Sequence, residues 1–203
     1  MHRAMVTLVV LAAVLPLGAP VLAQEIPPIP DPVAISVDRD TTALLLLDFS
    51  PTNCPTRPTC VESLPAVAGL LDWARSEGLF VVHSGAAQLP EVAPLPDEPV
   101  MLGGGPDKFL NNNLDDILRE RGIQTLIITG TASNGAVLYT SFEAAARGYT
   151  VAVVEDCISG TRPFDTILTR YQLLNGPGTA NPTNEPLRER AVTLTRSDLI
   201  SLR

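Results

Sequence analysis

Four short, mostly apolar runs constrain the fold of this chain more than any other feature of its sequence. They occupy residues 42–47, 79–82, 126–130 and 151–154. Continuous apolar runs of this length are typical of parallel strands that are buried on both faces. Segments with the apolar spacing of a helix lie between and after them, at residues 62–76, 110–121 and 136–147. We therefore predict an α/β domain with an open, doubly wound, mainly parallel sheet and helices on both faces.

The first 23 residues are predicted to be a secretory signal peptide. A basic start precedes an apolar run at residues 4–17, and small residues lead to a cleavage site after Ala23. A membrane span needs about 20 apolar residues, whereas Pro16 and Gly18 interrupt a shorter run here. A retained anchor is therefore the less favoured alternative. We expect an exported protein, periplasmic or secreted, whose mature chain has no membrane span.

The rest of the chain is predicted to be one domain that follows a short arm. Residues 24–40 are rich in proline and suit an extended arm. Residues 41–203 carry the predicted strands and helices, and a run at residues 191–194 suits an edge strand. Five prolines and three consecutive glycines at residues 88–106 predict a long irregular loop. A chain of this length suits a single hydrophobic core.

The charge of the chain excludes one class of partner. The formal net charge is −8, and it becomes −9 once Arg3 leaves with the signal peptide. Nucleic-acid binding needs a basic stripe that displaces counterions from the phosphates, and the sequence has no such cluster. We therefore expect a small-molecule substrate and no nucleic acid as partner.

Polar residues directly after the predicted strands are the first site candidates, because ligands of open parallel sheets bind at the carboxyl ends of the strands. Asp48 follows four leucines, where a charge is costly unless it is paired or functional. A turn-forming aspartate is the alternative. His83 follows the second run, and Cys157 lies beyond the fourth. Lys108, the only lysine of the chain, is either a partner for such a carboxylate or an ordinary solvated residue.

The segment at residues 130–141 joins the third run to a helix and begins at Gly130. It resembles the nucleophile turn of the isochorismatase-like cysteine hydrolases, in which a glycine is followed six residues later by a catalytic cysteine at the start of a helix. Ala136 stands at that position here. The resemblance covers residues 41–156 and implies the three-layer α/β sandwich of that superfamily. It places Asp48 at the position of the superfamily's catalytic acid or base, and Lys108 at that of the lysine that pairs with it. It also implies that this chain belongs to a secreted subgroup in which alanine replaces the cysteine.

The resemblance implies an oxyanion hole in the same turn. The backbone N–H groups of Ala132 and Ala136, flanked by Thr131 and Ser133, match the groups that face the developing oxyanion. A cis peptide bond is implied between Thr131 and Ala132. The N-terminus of the following helix adds the positive end of its dipole at the same place. An ordinary strand-to-helix turn is the alternative interpretation.

The cysteines suggest one disulfide. Export to an oxidising compartment makes a bond between Cys54 and Cys60 plausible, because the two residues flank one short loop. Cys157 is then left free. The loop looks like an insert that is special to secreted relatives in the superfamily. Arg57 lies within it and could meet a substrate carboxylate at the mouth of the site, and a solvent-facing arginine is the alternative.

Neither a metal nor another cofactor is predicted. His83 is the only histidine after the signal peptide, and the other spacings typical of zinc ligands are absent. Metal-binding nicotinamidases of the superfamily carry an aspartate and histidines after the first strand. This chain has Ser50, Pro51, Thr52 and Asn53 there. His83 stays a candidate for substrate binding.

Ala136 decides which functions are expected. An alanine methyl group cannot form the thioester on which the amidases of the superfamily depend, whereas its true isochorismatases also lack the cysteine. The first hypothesis is therefore a hydrolase of a small organic substrate, in which Asp48 transfers a proton and Lys108 pairs with it. The second is a catalytically silent small-molecule-binding protein. A secreted structural module is a third hypothesis, which rests only on the proline-rich arm.

Two residues are candidates to replace the missing thiol. Cys157 follows the fourth predicted strand and Ser133 lies in the turn, but neither motif contains a histidine base. The identity of the substrate stays open. Relatives of this kind commonly oligomerise, so a homo-oligomer is an expectation that rests on the resemblance alone.

Overall fold

The computed structural model describes residues 27–103 and 105–203. The predicted signal peptide and the first residues of the arm lie outside this range. The α-helices are Pro58–Glu77 (α1), Leu114–Glu120 (α2), Leu138–Ala146 (α3) and Pro163–Asn175 (α4). The strands are Ile35–Val37 (β1), Thr42–Leu47 (β2), Phe80–Ser84 (β3), Val100–Met101 (β4), Thr125–Thr131 (β5), Thr150–Ser159 (β6), Val192–Thr195 (β7) and Ile200–Leu202 (β8). Within the described ranges, no helix has both the length and the apolar character needed to cross a membrane.

Six strands form one sheet in the order β4-β3-β2-β5-β6-β7. Each pair of neighbours runs parallel. β2 lies in the middle of the sheet, and all of its residues are buried, as expected for a run without polar alternation. The predicted mainly parallel α/β architecture is therefore confirmed.

A hydrophobic core lies on each face of this sheet. Val67 of α1 shares one core with Leu44 and Leu46 of β2. Leu45 and Leu47 belong to the other core, which also contains side chains of α2, α3 and α4. This division follows from the strand itself, because successive side chains point to opposite faces. The prediction of helices on both faces is therefore also confirmed.

α1 begins four residues before the predicted helix at residues 62–76. Pro58 occupies its first turn, where a missing N–H costs nothing and the fixed φ of proline suits a helix. The apolar spacing starts only later and therefore does not mark this beginning. Gly78 follows the helix in a left-handed conformation, with φ of 77°, which is common for a glycine that ends a helix.

Two elements that frame the candidate site are longer or less regular than predicted. The predicted helix at residues 136–147 is preceded by one turn of π-helix, Ser133–Val137, before regular α3 begins. The predicted strand at residues 151–154 continues to Ser159. Its far end pairs with Gly130 and Thr131 after a shift in register, and this pairing keeps polar residues within the strand.

α4, β1, β4 and β8 have no counterpart among the predicted elements. α4 buries Asp165 and Thr169 together with Leu173, so polar residues interrupt the apolar spacing that would reveal a helix. The three strands contain only two or three residues each, which is too short for a recognisable pattern. β4 lies inside the loop predicted at residues 88–106, where it pairs with the edge of β3.

The predicted arm packs against the domain over part of its length. β1, at Ile35–Val37, pairs in parallel with β8, and both of its apolar side chains are buried. Earlier in the arm, the Thr195 hydroxyl donates to the carbonyl oxygen of Val33 at 2.8 Å, and the Asn184 amide donates to that of Asp31 at 2.9 Å. Residues 31–37 are therefore fixed to the elements that follow residue 41.

Candidate functional site

Asp48 lies at the carboxyl end of the central strand and is held by two side chains. Its Oδ2 atom is 2.7 Å from the Nζ atom of Lys108. The Ser84 hydroxyl, at the end of β3, donates to Oδ1 at 2.8 Å. Asp48 has φ of 59°, a left-handed conformation that aspartate tolerates better than most residues. This conformation ends β2, and the carboxylate remains partly exposed, with a side-chain exposure of 20%.

Lys108 connects Asp48 to the opposite side of the site. Its side chain is only 5% exposed, and lysine is almost never buried to this degree unless it is paired. Besides Asp48, the ammonium group donates to the carbonyl oxygen of Gly105 at 3.1 Å. The backbone N–H of Lys108 donates to the hydroxyl of Thr140, on α3, at 3.1 Å. The segment around Lys108 is thereby fixed against α3.

The turn between β5 and α3 lies beside Asp48. Gly130 is aligned with Leu47 across the pair of strands, and a Cβ atom at position 130 would lie 2.6 Å from the Leu47 Cβ atom. Only glycine allows this close approach. The peptide bond between Thr131 and Ala132 is cis, as the resemblance implies. Ala136 is buried at the end of the turn, next to the start of α3.

Arg57 approaches the same strand end from the other face of the sheet. Its Nη1 atom donates to the Thr131 hydroxyl at 3.2 Å. Cys54 and Cys60 form the disulfide that closes its loop, as predicted. Arg57 directly precedes α1 and is half-buried rather than solvent-facing.

A pocket of about 300 Å³ opens at Asp48. Residues 50–53 and 85–87 form the rest of its lining. Its volume lies at the lower end of the range found for small-molecule sites. A larger pocket of about 660 Å³ lies at the beginning of β3, near Arg39 and Arg121, and does not include Asp48. The smaller pocket is the candidate site because it contains the carboxylate.

His83 lies outside this pocket. Its Nε2 atom is 2.8 Å from Oε2 of Glu98, which also accepts from Arg75 of α1. His83 precedes Ser84 on the strand, so its side chain points to the opposite face from the hydroxyl that contacts Asp48. Burial lowers the pKa of His83, and the hydrogen bond with Glu98 opposes this effect only in part. The structure thus places His83 with Glu98 and Arg75 rather than at the pocket that contains Asp48.

Glu98 should make stability depend on pH. Burial alone would raise its pKa, but hydrogen bonds from Arg75, the Leu95 N–H and His83 together lower the pKa to about 2. Because the folded form binds fewer protons, the stability gained above pH 4.5, the ordinary pKa, is lost as the pH falls towards 2. At 1.36 kcal/mol per pKa unit, this contribution is roughly 3 kcal/mol. Glu98→Gln is therefore expected to be less stable at pH 7 and to lose less stability on acidification.

Urea unfolding at pH 7, 4.5 and 3 measures this effect. Glu62→Gln is the matched control, because Glu62 is exposed and has no ion pair within the described residues. Equal pH dependence of the free energy of unfolding in the two variants would show that the hydrogen bonds of Glu98 do not contribute to it.

Cys157 lies in a different core from the turn that carries Ala136. Its side chain is fully buried in the core that contains α1, whereas Ala136 belongs to the core on the other face. Burial raises the pKa of the Cys157 thiol, so the group stays a neutral, inert thiol. Of the three cysteines, the structure therefore offers none as a nucleophile.

The remaining predicted residues meet at one edge of the sheet. Thr131, Ala132 and Ser133 lead from β5 into the turn, on the strand next to Asp48. The predicted site did not include two residues that the structure adds. Ser84 donates to the Asp48 carboxylate, and Thr140 accepts from the backbone N–H of Lys108. The apolar run at residues 79–82 ends two residues before Ser84. Only the pairing with β2 shows that the strand continues to Ser84. Within residues 27–103 and 105–203, no three His, Cys, Asp or Glu side chains cluster as metal ligands.

The comparison with known sequences is decisive for the family. The sequence model of the isochorismatase domain matches residues 42–166. The chain belongs to the isochorismatase family. An uncharacterised isochorismatase family protein of Bacillus subtilis is 28% identical over 142 residues, which cover 60% of this chain and 79% of that protein. The maleamate amidohydrolase of Pseudomonas putida is 25% identical over 158 residues, covering 61% and 74% of the two chains.

Solved structures agree with the fold of this isochorismatase family member. A cysteine hydrolase from Pseudomonas syringae superimposes with a TM-score of 0.69 and 17% identity, over 83% of this chain and 94% of that one. The chain thus has the fold of isochorismatase-family hydrolases, and one of its relatives is named as an amidohydrolase.

Proposed function

We propose that this protein hydrolyses a small organic substrate with Asp48 and Lys108 and without a cysteine nucleophile. The observation that carries the proposal is the 2.7 Å ion pair between these two residues, at a pocket beside the turn that ends at Ala136. A carboxylate with a buried cationic partner at the carboxyl end of a central strand is suited to proton transfer. A protein that only binds its ligand has no need of this pair.

Water is the nucleophile in this mechanism, because an alanine methyl group cannot form a covalent intermediate. The Asp48 carboxylate accepts a proton from the attacking water and then donates it to the leaving group. Lys108 stabilises the carboxylate while it carries its charge. The backbone N–H groups of Ala132 and Ala136, next to the first turn of a helix, stabilise the negative charge that develops on the substrate oxygen.

Export of the protein is part of the same proposal. The disulfide between Cys54 and Cys60 supports it, because such bonds persist mainly in oxidising compartments. Amides are the first substrates to test, since the Pseudomonas putida relative is named for the amide maleamate. Esters and enol ethers are the next classes.

Turnover of a panel of small amides, esters and enol ethers tests the proposal. The wild-type protein is expected to hydrolyse at least one of them, and Asp48→Asn is expected to lose at least about a hundredfold in kcat/KM. Iodoacetamide should leave wild-type turnover unchanged, because Cys157 is buried and the other two cysteines are bonded. Equal rates in wild type and Asp48→Asn, or inactivation by iodoacetamide, would contradict the proposed mechanism.

A catalytically silent binding protein is the second candidate, and Ala136 is the observation that favours it. The variant Ala136→Cys distinguishes the two. Amidase activity that appears in this variant alone, and that iodoacetamide removes, would identify a decayed cysteine hydrolase. Activity of the unmodified protein that depends on Asp48 supports the proposed hydrolase.

A further inference from the structure

Arg57 is a cation at the site that the proposed mechanism does not use. Its guanidinium group donates to the Thr131 hydroxyl, directly before the turn that carries Ala132. Leu47 of β2 is aligned with Gly130 of β5. Asp48 and Thr131 are the residues that directly follow these two. Adjacent strands lie roughly 5 Å apart, so Asp48 and the Thr131 hydroxyl that Arg57 contacts are close neighbours.

The charge of Arg57 has no carboxylate partner in the described part of the chain. Lys108, the other cation at the site, is already paired with Asp48. Other partly buried arginines have carboxylate partners, as in the contacts of Arg75 with Glu98 and of Arg147 with Asp115. A half-buried guanidinium whose only side-chain partner is a neutral hydroxyl retains donors for a carboxylate.

Two buried hydroxyl groups near the end of β5 provide a second, independent observation. Ser133 Oγ is fully buried and has no hydrogen-bond partner within the described residues. The same holds for Ser159 Oγ, and Ser159 is aligned with Thr131 across β5 and β6. Buried polar groups normally have partners, so each exception needs an explanation. A polar ligand at this end of β5 and β6 would supply the missing partners.

The loop that carries Arg57 is held at both ends. The disulfide between Cys54 and Cys60 closes it. The Thr59 hydroxyl donates to the carbonyl oxygen of Gly160, just beyond β6, at 2.7 Å. A side chain that starts from a fixed backbone loses less conformational entropy on binding. Arg57 is therefore pre-organised to face the end of β5.

We propose that Arg57 binds a carboxylate group of the substrate, with the Ser133 hydroxyl as a neighbouring donor. The substrate is thus a small molecule with two functional ends, a hydrolysable bond at Asp48 and a carboxylate at Arg57. This inference rests on the proposed function for the reacting end only. Recognition of the carboxylate is a separate property that binding measurements detect without any turnover.

Binding of succinate and glutarate tests the inference directly, with neutral succinamide as the control ligand. Isothermal titration is expected to show that Arg57→Ala weakens binding of succinate about tenfold to a hundredfold, as for the loss of a charge-assisted hydrogen bond. Arg57→Lys should retain only part of the affinity, because lysine lacks the planar pair of donors. Binding of succinamide should be the same in all variants.

Arg188→Ala is the matched control variant. Arg188 is exposed and has no ion pair within the described ranges. Its replacement changes the net charge by the same amount as Arg57→Ala and leaves the site intact. We expect it to bind succinate and glutarate as the wild type does. Equal weakening in both arginine variants, unchanged binding in Arg57→Ala, or no binding of either dicarboxylate to the wild type would overturn the proposal.

Turnover separates this inference from the proposed function. Arg57→Ala is expected to lower kcat/KM about tenfold or more for succinamate, which carries a carboxylate, and to lower that for succinamide much less. If wild type binds succinate through Arg57 but hydrolyses nothing, the proposed function fails and the inference stands. If Asp48-dependent turnover is the same for succinamate and succinamide in both proteins, the inference fails and the proposed function stands.

Discussion

Replacing either member of the Asp48–Lys108 pair is expected to lower kcat/KM about a thousandfold, which is within the range for loss of general acid–base catalysis. The variants are Asp48→Asn and Lys108→Met. Replacing both residues should cost little more than replacing one, because the two act as a unit and their effects are not additive. Steady-state kinetics on the best substrate of the panel measures all three variants against the wild type.

The same variants should differ in stability. Asp48→Asn leaves the Lys108 ammonium, which is only 5% exposed, without a carboxylate, and this is expected to cost roughly 3 kcal/mol. Adding Lys108→Met removes the unpaired charge and should restore part of the free energy of unfolding. The double variant is therefore expected to regain stability without regaining activity, so loss of turnover cannot be attributed to unfolding.

Asp40→Asn is the control for this set. It removes a carboxylate of the same type from an ion pair with Arg39 that is largely exposed, where such a pair contributes about 0–1 kcal/mol. Its kinetics and stability should match the wild type. Strictly additive losses in the Asp48 and Lys108 variants would show that the two residues act independently.

Gly130→Ala is expected to lower the free energy of unfolding more than the addition of a methyl group anywhere else at this site. The new Cβ atom would lie 2.6 Å from the Leu47 Cβ atom and 2.8 Å from its carbonyl oxygen, and Gly130 has φ of 155°. The central strands cannot separate without breaking their hydrogen bonds. We expect a cost of about 3–5 kcal/mol, the sum of overpacking and an unfavourable backbone conformation. Urea unfolding followed by circular dichroism measures it.

Gly122→Ala isolates the contribution of the backbone. Gly122 also has a positive φ, of 68°, but no atom lies within 4 Å of the position that a Cβ atom would take. Its cost is expected to be about 1 kcal/mol. A similar cost for both variants would show that β2 and β5 adjust to the extra methyl group.

The central strands could be predicted because each is buried on both faces over a mostly apolar run. Asp48 could be located for the same reason, since it stands directly after four buried leucines. Lys108 could not be brought to it by pattern alone, because it lies in an irregular loop 60 residues later in the chain. Its match to a lysine of the isochorismatase-like hydrolases suggested the pair, and the folded loop brings the two charges together.

The environment of His83 shows why other parts of the site could not be predicted. His83 and Ser84 are consecutive residues at the end of β3, and only the register with β2 determines which of them faces Asp48. The partners of His83 come from α1 and from the irregular loop, far apart in sequence. α4 was missed because its buried face includes Asp165 and Thr169, whose hydrogen bonds replace apolar contacts.

The disulfide between Cys54 and Cys60 has a consequence for handling the protein in the laboratory. Cysteine hydrolases are commonly kept in dithiothreitol or a similar reductant, which protects the attacking sulfur from air. In this chain position 136 is alanine, so a reductant has no thiol to protect at that position. The same reductant would instead open the loop that presents Arg57, so purification and storage buffers free of thiols are the appropriate choice.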